Sequence, residues 1–200
     1  MTADPAILTS LVLFAHGKES GPWGSKIRHL AEVAQGFGAH VLSPDYSDLV
    51  SADERVLRLL ALDLPTHDRL ILVGSSMGGY VSTVASARLK PDCLFLMAPA
   101  FGVAGYAEQS PVPHANAVCV IHGWQDDIIP VESGIRFAER HRAELHVLNA
   151  DHRLNSVLPE LGRLFGEFLR KIITASAFDS VDQSKFKPYA NPRQIREEMP

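Results

Sequence analysis

The sequence has few cysteines, no long apolar run and no long run of charge of one sign. Its two cysteines, Cys93 and Cys119, stand among apolar and β-branched residues, where a thiol is typical of a small buried hydrophobe, so no disulfide framework is expected. No apolar stretch approaches the roughly 20 residues that cross a bilayer, so no membrane span is predicted. The formal net charge of -4 provides neither the basic face that binds nucleic acid nor a polybasic membrane anchor.

Several motifs that are typical of nucleotide-binding and metal-binding sites are also missing. There is no G-x-G-x-x-G after a strand, no phosphate-binding G-x-x-x-x-G-K-[ST] and no H-E-x-x-H, so neither a nucleotide cofactor nor a metal is predicted. The N-terminus has no basic segment before its apolar stretch, which argues against a secretory signal. We therefore expect a cytoplasmic location.

Length and composition predict one folded domain. The chain has 200 residues, of which 46% are hydrophobic and 21% charged, close to the average of globular proteins. From Ala175 onward the helical periodicity stops and the chain becomes polar. We predict a single domain over residues 1–173 and a polar C-terminal tail over residues 174–200, extended or, as the alternative, ordered by docking.

Short apolar runs alternate with stretches of helical period throughout the first 173 residues. Five runs resemble buried strands: Leu11–Ala15, His40–Leu42, Leu70–Val73, Cys93–Met97 and Val118–Ile121. A sixth run, 144–149, alternates as a strand nearer an edge does. Helices are predicted over Ile27–Ala34, Glu54–Leu62, Tyr80–Leu89, Ser133–Arg140 and Val157–Ile173. This order predicts a three-layer α/β/α sandwich with a mainly parallel sheet of about six strands.

A G-x-S-x-G motif, Gly74-Ser75-Ser76-Met77-Gly78, lies between a predicted strand and a predicted helix. In that context the serine occupies a sharp turn at the end of the sheet, and glycines leave room around it. The backbone N-H of Met77, at the start of the helix, is then placed to stabilise a developing oxyanion. We predict Ser76 as a nucleophile; the alternative is that Ser75 and Ser76 only cap the helix.

A serine nucleophile needs a histidine base and a carboxylate that orients it, and in this type of site the acid precedes the histidine. The loop after the fifth run contains two adjacent acids, Asp126 and Asp127, and the loop after the sixth contains His152. His152 is the histidine that satisfies this order outside predicted helices and strands. His122 ends a strand near the predicted site.

These motifs resemble those of the α/β-hydrolase family over about residues 11–173. His-Gly-x-x-Asp-x-x-Ile-Pro looks like the family's acid loop and Asp-His-Arg-Leu like its histidine loop. The resemblance implies that Asp126, four residues before the proline, is the acid, that His122 shapes the acid loop, and that Lys18 donates the second oxyanion N-H from its backbone. The motifs are also similar to those of the depalmitoylase, or acyl-protein thioesterase, branch.

About twenty residues separate the strands ending at Met97 and starting at Val118, too few for a helical lid, so an open site is expected. Residues 1–10 are too few for the two antiparallel strands that usually begin the fold, so we expect a minimal hydrolase. Four aromatic residues are candidates to border the substrate: Trp23, Phe101, Tyr106 and Trp124. Each is equally compatible with ordinary packing.

The sequence thus predicts hydrolysis of a carboxylic ester or thioester through an acyl-serine intermediate, on a small-molecule or acylated substrate. Two alternatives remain: a non-catalytic binding protein of the same fold, and a C-C bond or peptide hydrolase with the same triad. The natural substrate and the oligomeric state do not follow from the sequence.

Overall fold

The structure is a computed structural model, and it describes residues 9–179. The chain divides into two units, residues 1–169 and residues 170–200. The first contains the sheet and the helices that cover it; in the second, residues 170–179 are helical. Within the described residues, no helix combines the length and apolar character that crossing a membrane requires.

The described part of the chain contains six strands and five helices, and a helix separates successive strands except β4 and β5. The strands are β1 (Ser10–Ala15), β2 (His40–Leu42), β3 (Arg69–Ser75), β4 (Cys93–Met97), β5 (Ala117–Gly123) and β6 (Glu144–Leu148). The helices are α1 (Ser25–Gly36), α2 (Ala52–Leu60), α3 (Met77–Leu89), α4 (Val131–His141) and α5 (Leu158–Asp179). One turn of 3₁₀ helix, Asn155–Val157, precedes α5.

All six strands form one parallel sheet in the order β2-β1-β3-β4-β5-β6. The four inner strands are almost wholly buried because helices cover both faces, which is why they are continuous apolar runs rather than alternating ones. The predicted three-layer sandwich with about six strands is confirmed.

The two faces of the sheet carry separate apolar layers. On one face, Leu13, Leu72 and Leu96 join a core cluster with residues of α2 and α3. On the other, Phe95 packs against Phe165 and Phe168 of α5, with ring centroids 4.9 and 5.6 Å apart. Side chains alternate between these layers along each strand, so a one-residue register shift would exchange the two cores.

Two predicted elements differ from the structure. His40–Leu42, predicted as a buried strand, is β2 at the sheet edge, with one exposed and two half-buried residues. A three-residue run is too short to distinguish an inner strand from an edge strand by periodicity. The last helix continues past Ile173 to Asp179. Of the predicted tail, residues 180–200 lie outside the described residues, and the boundary at residue 173 stays a prediction.

Because the strands are parallel, their carboxyl ends meet at one edge of the sheet, where ligands bind in open α/β folds. The loops that follow β1, β3, β5 and β6 therefore all emerge there. These loops contain the residues of the candidate site.

Candidate active site

Ser76 forms a sharp turn between β3 and α3. β3 ends at Ser75, α3 begins at Met77, and Ser76 between them has φ 53° and ψ −118°. A positive φ is strained for a residue with a side chain, so the surroundings must hold it. The Ser76 N-H donates to the carbonyl of Met97 at 2.9 Å, and the Ser76 carbonyl accepts from the N-H of Ala100 at 3.0 Å. Neighbouring strand β4 thus fixes the turn.

Two glycines make this turn sterically possible. A Cβ on Gly74 would lie 2.3 Å from the carbonyl oxygen of Gly78, and a Cβ on Gly78 would lie 1.9 Å from that of Ala15. Both distances are far below van der Waals contact. Any side chain at either position would push α3 away from the ends of β1 and β3.

The His152 ring lies between Ser76 and Asp126. Its Nε2 is 3.0 Å from Ser76 Oγ, and its Nδ1 is 2.8 Å from Asp126 Oδ2. A carboxylate can only accept, so Nδ1 must carry the hydrogen and Nε2 is left free to accept from the serine hydroxyl. Among the described residues, Asp126 and not its neighbour Asp127 contacts His152. This arrangement can remove a proton from Ser76.

Both carboxylate oxygens of Asp126 accept hydrogen bonds. Oδ1 accepts from the backbone N-H groups of Ile128 and Ile129, at 3.0 and 2.8 Å. Oδ2 accepts from His152 and lies 3.1 Å from His122 Nε2. The side chain is fully buried, and these donors compensate for the loss of water. The carboxylate is therefore fixed in position before substrate arrives.

His122 is a second buried histidine at this carboxylate. Its Nε2 is 3.0 Å from the carbonyl of Ile129, so the hydrogen lies on Nε2, between two acceptors. Its Nδ1 is buried without a partner among the described residues. A Cβ on Gly134 of α4 would lie 2.5 Å from that nitrogen, so the glycine lets α4 pack onto the ring. His122 thus joins the acid loop to α4.

The histidine loop is ordered by Asp151. Its Oδ1 accepts from the N-H groups of Arg153 and Leu154, at 3.0 and 3.1 Å. The acid loop is bonded to the same region, since the Gln125 N-H donates to the Ala150 carbonyl at 3.0 Å. The two loops that supply Asp126 and His152 therefore form one connected unit.

The loop after β1 lies beside the nucleophile. A Cβ on Gly17 would come within 3.6 Å of Ser76 Cβ. His16 is fully buried; its Nδ1 bonds the Gly17 carbonyl at 2.8 Å and its Nε2 accepts from the Tyr46 N-H at 3.0 Å. Burial lowers the pKa of His16, so the ring is neutral, as these bonds require.

A buried arginine holds the same loop. Arg55 of α2 is only 1% exposed, and it donates to the carbonyls of Leu49, at 2.8 Å, and Gly17, at 3.2 Å. Its guanidinium also lies 5.9 Å from the Tyr46 ring centroid. Burial lowers the pKa of Arg55. Sequence reasoning missed this residue because an arginine on an amphipathic helix ordinarily indicates a solvated face.

The two predicted oxyanion donors come from the start of α3 and from the loop after β1. Met77 is buried and is the first residue of α3; Lys18 is exposed and follows Gly17. Met77 follows Ser76 in the chain, and Lys18 follows Gly17, whose Cβ position is 3.6 Å from Ser76 Cβ. Their function as N-H donors stays a prediction.

Lys26, in the first turn of α1, was also missed by sequence reasoning. Burial lowers the pKa of its ammonium to about 8, although the charges of Asp151 and Asp126 act in the opposite direction. No sequence pattern marks such a lysine, because the surroundings that dehydrate it come from distant loops.

The four aromatic candidates fall into two groups. Trp23 and Trp124 are exposed, in the β1–α1 loop and the acid loop. Phe101 is buried and stacks on Phe137 with centroids 4.3 Å apart, and Tyr106 packs on Tyr80 at 4.5 Å. The structure therefore gives the second pair a packing role, and substrate contact by any of the four stays a prediction.

One group of possible metal ligands occurs among the described residues, and it does not include the candidate site. Ligand atoms of Cys119, Glu144 and His146, on β5 and β6, lie within 4.8 Å of one another. His146 Nε2 already lies within hydrogen-bond distance of Glu144 Oε1, at 2.8 Å, which accounts for the proximity of these two residues.

Several solved structures are similar to this chain. A protein of Xanthomonas campestris assigned to the alpha/beta hydrolase superfamily is 30% identical, with a TM-score of 0.73 over 81% of this chain and 98% of its own. A lidless α/β serine hydrolase of the same organism is 23% identical, with a TM-score of 0.68 over 85% of each chain. Mouse alpha/beta hydrolase domain-containing protein 10 is 19% identical, with a TM-score of 0.66 over 81% of this chain and 90% of its own.

No family model and no curated protein matches the chain. The structural relatives below 25% identity share the fold, whereas the first relative is similar in sequence over nearly its whole length. The chain belongs to the α/β hydrolase superfamily.

Proposed function

We propose that the protein is a serine hydrolase that cleaves a carboxylic ester or thioester through an acyl-Ser76 intermediate. The single observation that carries this proposal is the His152 ring, which lies within hydrogen-bond distance of both Ser76 Oγ and a buried carboxylate. A neutral serine hydroxyl is a weak nucleophile, and this arrangement is what activates it.

In the acylation step, Ser76 Oγ attacks the carbonyl carbon while His152 Nε2 takes the hydroxyl proton. The imidazolium formed is stabilised by Asp126, which remains ionised and holds the ring. Collapse of the tetrahedral intermediate breaks the bond to the leaving alcohol or thiol, which receives the proton from His152. The acyl group is then esterified to Ser76.

In the deacylation step, water takes the place of the leaving group. His152 removes a proton from the water as it attacks the acyl carbon, and then returns a proton to Ser76 Oγ as the acid leaves. One ester and one water give one acid and one alcohol, and the enzyme regains its starting protonation state. Both steps use the same two hydrogen bonds of His152, one to Ser76 and one to Asp126.

The negative charge on the carbonyl oxygen of the tetrahedral intermediate requires donors. In this proposal they are the backbone N-H groups of Met77, the first residue of α3, and of Lys18, which follows Gly17 in the loop after β1. Preorganised donors of this kind contribute about 3 kcal/mol each to lowering the barrier. The side chain of Lys18 has no part in this role.

The segment between β4 and β5 supports a short rather than a long acyl group. It consists of residues 98–116 and has no helix, and it is bound down onto the body of the protein. Asp53 of α2 accepts from the Ala107 N-H at 3.2 Å and from the Tyr80 hydroxyl at 2.7 Å. A long chain, such as the acyl group of a depalmitoylase substrate, would have no lid to enclose it.

The decisive experiment is a matched panel of p-nitrophenyl esters and acyl-CoA thioesters, assayed with wild-type protein and with Ser76→Ala. We expect a burst of product from the wild type, and a loss of kcat on the order of 10⁴-fold or more in Ser76→Ala. A fluorophosphonate probe should label the wild type at Ser76.

The adjacent serine provides the control. Ser75 is the last residue of β3 and has no role in the mechanism, so Ser75→Ala should keep both turnover and labelling. Labelling or turnover that survives in Ser76→Ala, or that disappears equally in Ser75→Ala, would rule the mechanism out.

A further inference from the structure

A cleft of about 240 Å³ lies between the segment 98–116 and helix α4. Its walls include Phe101 and Ser110 from the segment, and Ser133, Arg136, Phe137 and Arg140 from the helix. Neither Ser76 nor His152 lines it, so it is separate from the residues of the mechanism. The lining combines an apolar floor, formed by Phe101 and Phe137, with a positively charged rim, formed by Arg136 and Arg140.

The apolar part of the cleft lining consists mainly of two aromatic rings. Phe101 and Phe137 stack with an interplanar angle of 28°, and each is less than 10% exposed. Both rings are anchored in the core cluster, so they do not move aside to fill the cleft themselves. A short aliphatic or aromatic group would gain apolar contact here without rearranging the protein.

The rim has two positive charges without counter-charges. Arg136 and Arg140 are exposed and stand one helical turn apart on α4. Among the described residues neither pairs with a carboxylate, in contrast to Arg58, which bonds Asp48, and Arg163, which bonds Glu160. In a protein of net charge -4 these two guanidinium groups form a local attraction for an anion.

Ser133 adds a polar group to the wall. Its Oγ is shielded from solvent and has no hydrogen-bond partner among the described residues. A buried hydroxyl without a partner is costly, and a ligand would reach this one only after the Ser133 side chain turned toward the cleft. Ser133 is on the first turn of α4, next to the acid loop.

Both walls of the cleft begin beside the candidate active site. Phe101 follows Ala100, whose N-H donates to the Ser76 carbonyl. Ser133 lies four residues after Ile129, whose N-H donates to Asp126. From Ser133 the helix runs seven residues to Arg140, roughly 10 Å at 1.5 Å per residue. The two walls are thus continuous in the chain with backbone that contacts Ser76 and Asp126.

We propose that this cleft binds the anionic end of the substrate, so that the enzyme acts on small esters or thioesters carrying a carboxylate or phosphate on a short apolar or aromatic body. The body lies on Phe101 and Phe137, and the anion pairs with Arg136 and Arg140. This inference rests on the proposed hydrolase function. The anion belongs either to the acyl half or to the leaving group of the substrate.

Two pairs of substrates distinguish these sources. The mono-p-nitrophenyl ester of adipic acid is compared with p-nitrophenyl hexanoate for a charge in the acyl half. The anion 4-acetoxybenzoate is compared with the neutral 4-acetoxybenzamide for a charge in the leaving group. In at least one pair, kcat/KM should favour the anion by about tenfold, the range expected for a charge-assisted contact, and added salt should reduce the preference.

The double variant Arg136→Gln/Arg140→Gln should bring the anionic-to-neutral ratio of kcat/KM to about one. The matched control is Arg88→Gln/Arg28→Gln, which removes the same charge from exposed arginines outside the cleft and should keep the wild-type ratio. A wild-type ratio of one or less in both pairs would overturn the proposal. A ratio that the cleft variant leaves unchanged, or that the control lowers equally, would also overturn it.

A binding measurement separates this inference from the proposed function. Phenylglyoxal modifies accessible guanidinium groups, and mass spectrometry reads each arginine. Monomethyl adipate should slow modification of Arg136 and Arg140, but not of Arg88, in Ser76→Ala as in the wild type. Protection of the two arginines by a wild-type protein that hydrolyses no ester would support the anion-binding cleft and contradict the hydrolase mechanism. Hydrolysis without selective protection would support the mechanism and contradict the cleft.

Discussion

At the scale of single residues, Arg55 binds the loop after β1, which contains Lys18, the proposed second oxyanion donor. Its donated hydrogen bonds end on backbone carbonyls, including those of His16 and Gly17, directly before Lys18. A buried arginine without a carboxylate partner is expensive to maintain. We interpret Arg55 as a positioning residue that fixes the direction of the Lys18 N-H.

Replacing Arg55 therefore tests whether the loop geometry matters for chemistry. Arg55→Met should lower kcat by about 10²-fold, comparable to the loss of one oxyanion donor, with a smaller effect on KM. The affinity for a trifluoromethyl ketone, which forms a tetrahedral adduct with the serine, should fall by a similar factor. Arg55→Lys should recover part of both, because a lysine can still donate to one carbonyl.

A purely structural role would give a different pattern. If Arg55→Met lowered thermal stability but left kcat and ketone affinity unchanged in the folded fraction, the positioning role would be wrong. Circular dichroism gives the folded fraction, so the two effects can be measured on the same sample.

Lys26 gives a prediction about stability and pH. Its pKa is about 8 in the folded protein and 10.5 ordinarily, so the folded state holds the proton less firmly than the unfolded chain. The penalty of burying the ammonium is fully present below pH 8 and disappears as the pH rises through 10.5. Lys26→Met should therefore increase the free energy of unfolding at pH 7, and the difference from wild type should shrink by pH 10.

Urea denaturation of both proteins at pH 7, 8.5 and 10 measures this difference directly, since the other titrating groups are common to both. A variant that is less stable than wild type at pH 7, or a difference independent of pH, would show that attraction to Asp151 and Asp126 outweighs dehydration at this site.

At the scale of elements, the strand-turn-helix unit of β3 and α3 depends on close backbone contact. A Cβ on Gly78 would collide with the Ala15 carbonyl, which belongs to the end of β1 and cannot swing aside as a side chain can. Gly78→Ala should destabilise the protein by about 3 kcal/mol or more, or prevent folding.

Gly36 is the matched control for this substitution. It is the last residue of α1, it is exposed, and nothing lies within 4 Å of the Cβ it would gain. Gly36→Ala should stabilise the protein by about 0.5 to 1 kcal/mol. Alanine lowers the conformational entropy of the unfolded chain and favours the helical conformation more than glycine does. Chemical denaturation of the two variants should give opposite signs, and equal effects would contradict the steric argument.

The elements show how far local patterns determine the fold. Buried parallel strands are continuous apolar runs, so β1, β3, β4 and β5 follow from the sequence to within a few residues. β2 was predicted as a buried strand, and its edge position could not be recognised because three residues carry no periodicity. The order of the strands, and the packing of α5 at Gly162 against His29 of α1, depend on long-range contacts that no local pattern contains.

The candidate site divides in the same way. Ser76, Asp126 and His152 were predicted from motifs, and the structure brings their side chains within hydrogen-bond distance. Arg55, Lys26 and the cleft along α4 were not predicted, because each depends on which distant segments surround a side chain. The catalytic role of the three predicted residues stays a prediction until Ser76→Ala is assayed.

At the scale of the whole molecule, the two cysteines report on the integrity of the core. Cys93 and Cys119 are buried and form no disulfide, and they lie on adjacent inner strands β4 and β5. Burial raises the pKa of the Cys93 thiol to about 12, so almost no reactive thiolate exists at neutral pH. Neither thiol should react with 5,5′-dithiobis(2-nitrobenzoic acid) in the native protein, and both should react once it unfolds.

The rate of thiol reaction should follow the unfolding transition seen by circular dichroism across a urea titration. Added reductant should not change the midpoint, since no disulfide is present among the described residues. Fast reaction of one thiol below the transition would reveal local opening of the sheet, contrary to this expectation.

The wide separation of Ser76, Asp126 and His152 along the chain has a consequence for renaturation. No segment of the protein holds two of these side chains close by itself, so the entropy of closing long loops must be overcome before any of them meet. Helical signal can return on refolding well before the loops after β3, β5 and β6 converge. We therefore expect the Ser76–His152 contact to recover late in refolding, so that activity measured during refolding reports native protein rather than compact intermediates.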